Sequence, residues 1–336
     1  MKTILVTGIA GFLGSHVAEY LLKAGHRVYG IDDYSGGNFS NVPEGVSFFM
    51  KGDVADAEDV NQLFTGRKID AVIHCAAFAS EGLSHHVRAH TYRSIVTGSA
   101  NLVNACIKHG VPLLVSMSSI AVYGDRKPPF NEAMAPQPID PYGAAKMCME
   151  FDLRAASRYF PDFNVIVFRP HNIIGIRQNL QDATRNVASI FIRQALMDQP
   201  LTIYGSGLQT RAWSPVGQVA AIIAASIEDF YRPAQNEIFN IGGDQVMSVL
   251  SLAKMVHEVT GRHTGVVHLP ARDEVLHAYS DQTKVHDHFP NHFSKPQSIR
   301  DCLAEMVVEA KTRDLTTMLP LPPIEITQNL PAVWKS

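Results

Sequence analysis

Cysteine is scarce: Cys75, Cys106, Cys148 and Cys302 are the only four in 336 residues, scattered and without a C-x-x-C pair. That pattern argues against a disulfide framework or a zinc site and predicts reduced thiols in a reducing, cytoplasmic compartment. Long apolar runs are missing as well. No stretch approaches the ~18 residues a membrane span requires, so no bilayer-crossing segment is expected. The apolar opening Met1–Val6 is broken by Thr7 and Gly8, with no small-residue cleavage site before charge returns, unlike a secretory leader. Charge of one sign is not in excess either. Lys and Arg number 29 against 32 Asp and Glu, a net charge of −3, so no global field draws the chain to nucleic acid or anionic membrane. Internal repeats and low-complexity blocks are absent. Hydrophobic residues at 46% and charged residues at 18% fit a soluble globular body of one or two domains rather than a disordered chain.

In the first half, short β-branched or apolar runs alternate with amphipathic stretches. Thr3–Val6, Arg27–Ile31, Val46–Met50, Ala71–His74, Leu113–Met117 and Val165–Phe168 read as buried strands. Helices are expected over Ser15–Ala24, Ala57–Phe64, Tyr92–His109 and Tyr142–Tyr159. Such alternation implies an α/β fold, a doubly wound parallel sheet covered on both faces. Beyond Arg169 the rhythm loosens, with helices expected near Val187–Met197 and Val249–Val259 and a strand at Leu201–Tyr204. We expect a first domain over residues 1–170 and a smaller C-terminal α/β substrate lobe over 171–336, with segments able to return to the first sheet. The tail with Pro320, Pro322, Pro323 and Pro331 is expected to run irregularly over the surface.

Directly after the first strand, Thr7-Gly8-Ile9-Ala10-Gly11-Phe12-Leu13-Gly14 places three glycines three residues apart, ahead of a helix. Glycines there permit a tight turn and a close backbone approach to a pyrophosphate, while the helix N-terminus attracts its charge. Asp32-Asp33 closes the second strand, where a carboxylate can accept the ribose hydroxyls of NAD and would repel the 2′-phosphate of NADP. This is a Rossmann-type cofactor loop, and NAD is the expected cofactor. Asp53-Val54, after the third strand, can meet the adenine, and Ala76 and Ala77, after the fourth, are small enough for backbone to lie along the cofactor.

Two Tyr-x-x-x-Lys pairs occur. Tyr123–Lys127 runs into Pro128-Pro129, which breaks any helix, so its side chains need not converge. Tyr142–Lys146 follows Pro141 and opens a long helical pattern, so phenol and ammonium project together from its first turn. A neighbouring ammonium favours the phenolate, which makes Tyr142 a candidate base. Ser118-Ser119 closes the fifth strand, where a hydroxyl can meet the same substrate oxygen. His86 and His90 have i, i+4 metal-ligand spacing, but no third ligand falls beside them, and no metal is expected.

Together, TGIAGFLG at Thr7–Gly14, Asp32-Asp33, SSIAVYG at Ser118–Gly124, YGAAK at Tyr142–Lys146 and RPHNIIG at Arg169–Gly175 resemble the extended short-chain dehydrogenase/reductase family. Within it they are most similar to the NAD-dependent nucleotide-sugar epimerases and dehydratases, especially the UDP-glucose 4-epimerase group. The resemblance implies that Tyr142 is the base, that Lys146 holds the nicotinamide ribose and tunes Tyr142, and that Ser119 binds the sugar 4-hydroxyl. It also implies that Asn172, Arg211, Arg272 and Glu274 contact the nucleotide sugar, with Glu274 standing where the family usually has Asp. Glu81, in the loop after the fourth strand, can touch the sugar. Ala278 falls where related epimerases limit the C2 substituent, and its methyl would leave room for an N-acetyl group. Family members commonly pair through helices corresponding to Tyr92–His109 and Tyr142–Tyr159, so a homodimer is expected.

Dehydratases of the family carry an acidic pair where this chain has Ile120-Ala121. Neither residue can exchange a proton, which leaves oxidation and reduction at C4 as the expected chemistry: a nucleotide-sugar 4-epimerase, with a 4-ketoreductase or dehydrogenase as the alternative. A non-catalytic NAD sensor is disfavoured because Tyr142 and Lys146 are both intact. The segment Arg211-Ala-Trp213-Ser-Pro215-Val-Gly-Gln218 departs from the family's usual Arg-x-Phe-x-Tyr-Val-x-Asp, so a reshaped loop or a different substrate is expected there.

Overall fold

The computed structural model describes residues 1–184, 186–229, 237–272, 274–292 and 297–334. The first half runs β1 (Thr3–Thr7), α1 (Phe12–Lys23), β2 (Arg27–Asp32), β3 (Phe48–Lys51), α2 (Ala57–Phe64), β4 (Ala71–His74), α3 (Glu81–Ser84), α4 (Arg88–Tyr92), α5 (Gly98–Lys108), β5 (Leu113–Met117), α6 (Pro141–Tyr159) and β6 (Asn164–Pro170). All six strands predicted in the first half form, β4 and β5 with the expected ends and the other four with ends shifted by one or two residues. The helix expected over 92–109 is interrupted: a five-residue π-helical stretch, Arg93–Thr97, separates α4 from α5. Several helices begin on side-chain caps. The Asp56 carboxylate accepts the first-turn amides of α2, and the Asp140 carboxylate accepts Gly143 N at 2.8 Å, ahead of Pro141 in the first turn of α6.

Further along come β7 (Ile173–Ile174), α7 (Val187–Leu196), β8 (Leu201–Tyr204), β9 (Thr210–Ala212), β10 (Ser214–Pro215), α8 (Val216–Asp229), β11 (Glu237–Ile241), β12 (Val246–Ser248), α9 (Val249–Thr260), β13 (Val266–Leu269), β14 (His277–Ala278), α10 (Thr283–His288) and α11 (Ile299–Ala310). The main sheet has seven strands in the order β11-β6-β5-β4-β1-β2-β3, every pair parallel. Strand order reverses between β1 and β4, which opens a crevice above their carboxyl ends, the ligand position in such sheets.

Burial on both faces explains the near-continuous apolar strands. Val17 and Leu21 of α1, Ile222 and Ile223 of α8, and Phe168, Phe239 and Phe289 fill one face. Leu63 and Phe64 of α2, Leu102 and Cys106 of α5, and Met149 and Leu153 of α6 fill the other. Thus α8 and β11, from beyond residue 171, complete the first sheet. A separate core of Phe191, Ile192, Leu252, Val256, Leu303 and Met306 joins α7, α9 and α11.

The tail is irregular between residues 311 and 331, as expected, but it is not merely a surface segment. Leu330 and Trp334, the latter 4% exposed, pack on Leu83 and Val87, so apolar side chains among the prolines tie the tail down. The Glu325 carboxylate accepts Ala89 N and His90 N at 2.9 and 3.0 Å, in the first turn of α4.

Candidate active site

A cleft of about 730 Å³ lies above the switch point and runs from the glycine loop to the second lobe. Gly8 has φ +69°, and a Cβ there would stand 2.7 Å from Ala76 N. A Cβ on Gly14 would lie 2.1 Å from the Gly8 carbonyl oxygen, so only glycine lets the loop close this tightly. No side chain caps α1, leaving the N-terminal amides at Phe12, Leu13 and Gly14 available to a phosphate. A further glycine, unrecognised in the sequence, belongs to this cradle: a Cβ on Gly37 would meet the Ala10 backbone at 2.6 Å. Uncapped amides, a glycine-lined floor and acidic side chains at the far edge together fit a dinucleotide.

Asp32 is buried, and its two oxygens accept Ala10 N at 2.9 Å and Tyr34 N at 2.8 Å. Burial raises its pKa most, while those amides pull it down. It braces the loop, and each carboxylate oxygen retains a second lone pair. Asp33 is exposed on the cleft rim, its carboxylate accepting Ser35 N. Asp53 lines the cleft, but its carboxylate is already held by Arg93 at 2.5 Å and by Ala55 N at 2.8 Å, so any adenine contact competes with that ion pair. Val54, Ala76 and Ala77 line the same cleft. The π-helical stretch supplies Arg93 and also Ser94, whose hydroxyl accepts Phe78 N at 2.9 Å. No periodicity in the sequence signals it.

At the other end Tyr142, Lys146 and Ser119 come together at the carboxyl end of β5. The Lys146 ammonium lies 5.8 Å from the Tyr142 ring centre and donates to the Met117 carbonyl at 2.6 Å. Lys146 is 3% exposed; burial brings its pKa from 10.5 down to about 8, with Cys75 and Glu150 opposing. Ser119 accepts Ala121 N at 3.1 Å, leaving its hydroxyl proton to donate. Beneath them His74, bonded to Thr7 and Ser99, is driven by burial to about 3 and stays neutral.

Ser118 lines the cleft as well, with its hydroxyl donating to Glu150, one turn beyond Lys146 on α6. Glu150 in turn holds Arg169 through Nε at 2.8 Å and Nη2 at 2.5 Å, and Arg169 Nη1 donates to the Tyr123 hydroxyl at 2.7 Å. Tyr123 donates onward to Asn240 at 2.8 Å. Of the first Tyr-x-x-x-Lys pair, Tyr123 serves this buried network while Lys127 is exposed, and neither is among the described cleft-lining residues. Ala278 packs with Val122, Tyr123 and Phe130 and is not among the described cleft-lining residues.

The second lobe closes the far wall. Asn172 adopts φ +38°, a conformation asparagine tolerates better than most residues, and lines the cleft. Arg211 donates to the Val275 carbonyl at 2.7 Å and lies 3.4 Å from Glu274, which also accepts Gln209 Nε2 at 3.2 Å. The Arg272 guanidinium stacks 3.3 Å from the Tyr204 ring centre and 4.8 Å from that of Trp334. Neither ring was flagged by the sequence, since stacking across 68 and 62 residues leaves no local signal. Pro215 does not disrupt its loop: it sits in β10, paired with β7, and leaves Trp213 on the cleft wall. Glu81 lines the cleft beside α6. His86 and His90 do not converge on a metal position; His86 bonds the Ile326 carbonyl, and His90 packs edge-on against Phe78.

Residues 4–242 match the family described as the NAD dependent epimerase/dehydratase family. The chain belongs to this NAD-dependent epimerase/dehydratase family. An uncharacterised UDP-glucose epimerase of Bacillus subtilis, YtcB, is 31% identical over 270 residues, covering 77% of this chain and 82% of that protein. The UDP-glucose 4-epimerase of Thermotoga maritima, solved with UDP-glucose, superposes with a TM-score of 0.84 at 30% identity, covering 92% of this chain and 99% of that one. A UDP-glucuronic acid 4-epimerase of Bacillus cereus, solved with UDP-glucuronic acid and NAD, gives 0.84 at 26% identity, with coverage of 92% and 99%. As a member of the NAD-dependent epimerase/dehydratase family with these relatives, the chain is an NAD-dependent sugar-nucleotide epimerase on the extended short-chain dehydrogenase/reductase fold.

Proposed function

We propose that this enzyme is a UDP-sugar 4-epimerase that works through a transient 4-keto sugar. The observation that carries the reading is the meeting of Tyr142, Lys146 and Ser119 at the end of β5, inside the same cleft as the glycine loop. NAD held by that loop supplies a hydride acceptor and donor at sugar C4. Tyr142 takes the proton of the 4-hydroxyl as C4 is oxidised and returns it when the ketone is reduced on its other face. Ser119 donates to the same oxygen. Lys146, fixed by the Met117 carbonyl, places positive charge beside the phenol and favours its ionised form. Arg272, clasped between two aromatic rings, holds the diphosphate, and Asn172 and Arg211 line the path of the nucleotide sugar.

The residues after Ser119 support epimerisation over dehydration. Ile120 is 6% exposed within an apolar cluster, and with Ala121 it offers no group able to assist elimination. Glycine-lined phosphate cradle and acidic strand end support NAD over NADP. The exposed Phe151, 55% accessible on α6, supports pairing of two copies through α5 and α6, and the four free cysteines support a reducing, cytoplasmic location. Residues 1–170 form the cofactor domain and later segments mainly the substrate lobe. The test is Tyr142→Phe. Interconversion of UDP-glucose and UDP-galactose, followed by NMR, should fall at least a thousandfold while bound NAD is retained; undiminished turnover would exclude the assigned base.

A further inference from the structure

Ser80 and Glu81 sit at the start of α3, beside the catalytic helix. The Ser84 hydroxyl joins the two elements: it donates to the Glu81 carbonyl at 2.5 Å and accepts Tyr142 N at 3.3 Å. This bridge fixes Glu81 next to the first turn that carries the phenol. Arg211 and Glu274, from the second lobe, and Asp140, the cap of α6, are the charged groups that act on it, and His85 stands beside Asp140. Glu81 is an exposed residue that lines the cleft, with protein packed closely around its carboxylate. Ser80, 2% exposed and also lining the cleft, has a buried hydroxyl with no hydrogen-bond partner. An orphaned hydroxyl beside an unneutralised carboxylate is a costly arrangement that a polar ligand would relieve.

We infer that Ser80 and Glu81 form the edge that reads the sugar, accepting hydrogen bonds from an uncharged, hydroxyl-bearing sugar and excluding a uronate. This deepens the reading of the cleft as a UDP-sugar site and rests on it. Arg211 does not offer a free cation to a sugar carboxylate, because it is committed to three backbone carbonyls and to Glu274. Among the described residues Arg211 is thus no free partner for a sugar carboxylate, so a uronate brought to this edge would meet Glu81 and Glu274, and like charges brought close in a protein cleft cost roughly tenfold or more in affinity. Burial, helped by Asp140 and Glu274, raises the Glu81 pKa to about 7. Exclusion should weaken as pH falls below that value.

The experiment compares kcat/KM for UDP-glucose and UDP-glucuronate in the wild-type holoenzyme and in Glu81→Gln, at pH 8 and pH 6. At pH 8 wild type should prefer UDP-glucose by at least roughly tenfold. Glu81→Gln should shrink that preference at least threefold, with pH 6 doing the same in wild type but not in the variant. Ser80→Ala should raise the KM for UDP-glucose with little change in kcat. Bound NAD and the melting temperature check that each variant is folded, and calorimetric binding of both nucleotide sugars to Tyr142→Phe measures the same preference without turnover. Preferred turnover of UDP-glucuronate by wild type, or an unchanged ratio in folded Glu81→Gln, overturns this inference alone. Failure of the NAD-loaded wild type to epimerise any UDP-sugar overturns the epimerase reading and this inference with it.

Discussion

Replacing Lys146 with Met should make the cofactor-free protein more stable and the enzyme inactive. Burial lowers the Lys146 pKa from 10.5 to about 8. At about 1.4 kcal/mol per pH unit, holding the ammonium charged in this site at pH 7 costs about 3 kcal/mol. Methionine fills similar volume without charge, but forfeits the hydrogen bond to the Met117 carbonyl, worth about 1–2 kcal/mol. The expected net gain at pH 7 is therefore about 1–2 kcal/mol. Its pH dependence identifies the cause. Unfolded chains hold the Lys146 proton up to pH 10.5 and folded ones release it near 8, so between those values the unfolded state binds more protons. Wild-type stability should rise relative to the variant across that window, and the variant's advantage should vanish by about pH 10.5. Urea titrations of both proteins, stripped of NAD, at pH 7, 8.5 and 10 measure this directly. A variant less stable than wild type at pH 7, with no convergence at higher pH, would refute the assigned burial cost. Such a trade of stability for a charged group is typical of active sites.

Three further outcomes follow from the geometry. Gly14→Ala drives a Cβ to 2.1 Å from a backbone oxygen that cannot yield, so the variant should lose about 1–3 kcal/mol of stability and no longer retain NAD through gel filtration. Glu150→Met strands the Arg169 guanidinium, 2% exposed, and should cost about 3–5 kcal/mol in urea denaturation, whereas Glu150→Met with Arg169→Met should recover most of that loss. A double variant as costly as the sum of its parts would rule out this coupling. Analytical ultracentrifugation should give twice the 36.9 kDa chain mass, and substituting Phe151 with Glu should shift the protein toward monomer.

What the sequence announces and what it hides separate along physical lines. The glycine loop, the acidic end of β2 and the Tyr142–Lys146 pair are readable because each is local: a turn, a strand end and one helical turn set the chemistry within a few residues. The alternation of buried strands and helices likewise reveals the parallel sheet. Helix α8 escapes because VGQVAAIIAASIED is apolar almost all round, packed beside α1 on the sheet, and shows no single stripe. The π-helical stretch at Arg93–Thr97 is invisible because a register change needs no special residue. The hydrogen bond from Ser118 to Glu150, 32 positions away, and the packing of Ala278 against the cluster of Tyr123 and Phe130 leave no local signal either. The clasp of Tyr204, Arg272 and Trp334 depends on the tail folding back onto both lobes, a contact that only the assembled chain defines.

The central claim, that hydride leaves and re-enters C4 of a UDP-sugar beside Tyr142, is tested most directly with UDP-galactose deuterated at C4. The purified enzyme, given no added cofactor, is incubated with it in ordinary water, and the product is read by NMR. Deuterium retained at C4 of the UDP-glucose formed is the predicted result, because the same hydride returns to the same carbon. Loss of the label to solvent, or consumption of one equivalent of cofactor per turnover, would contradict the account.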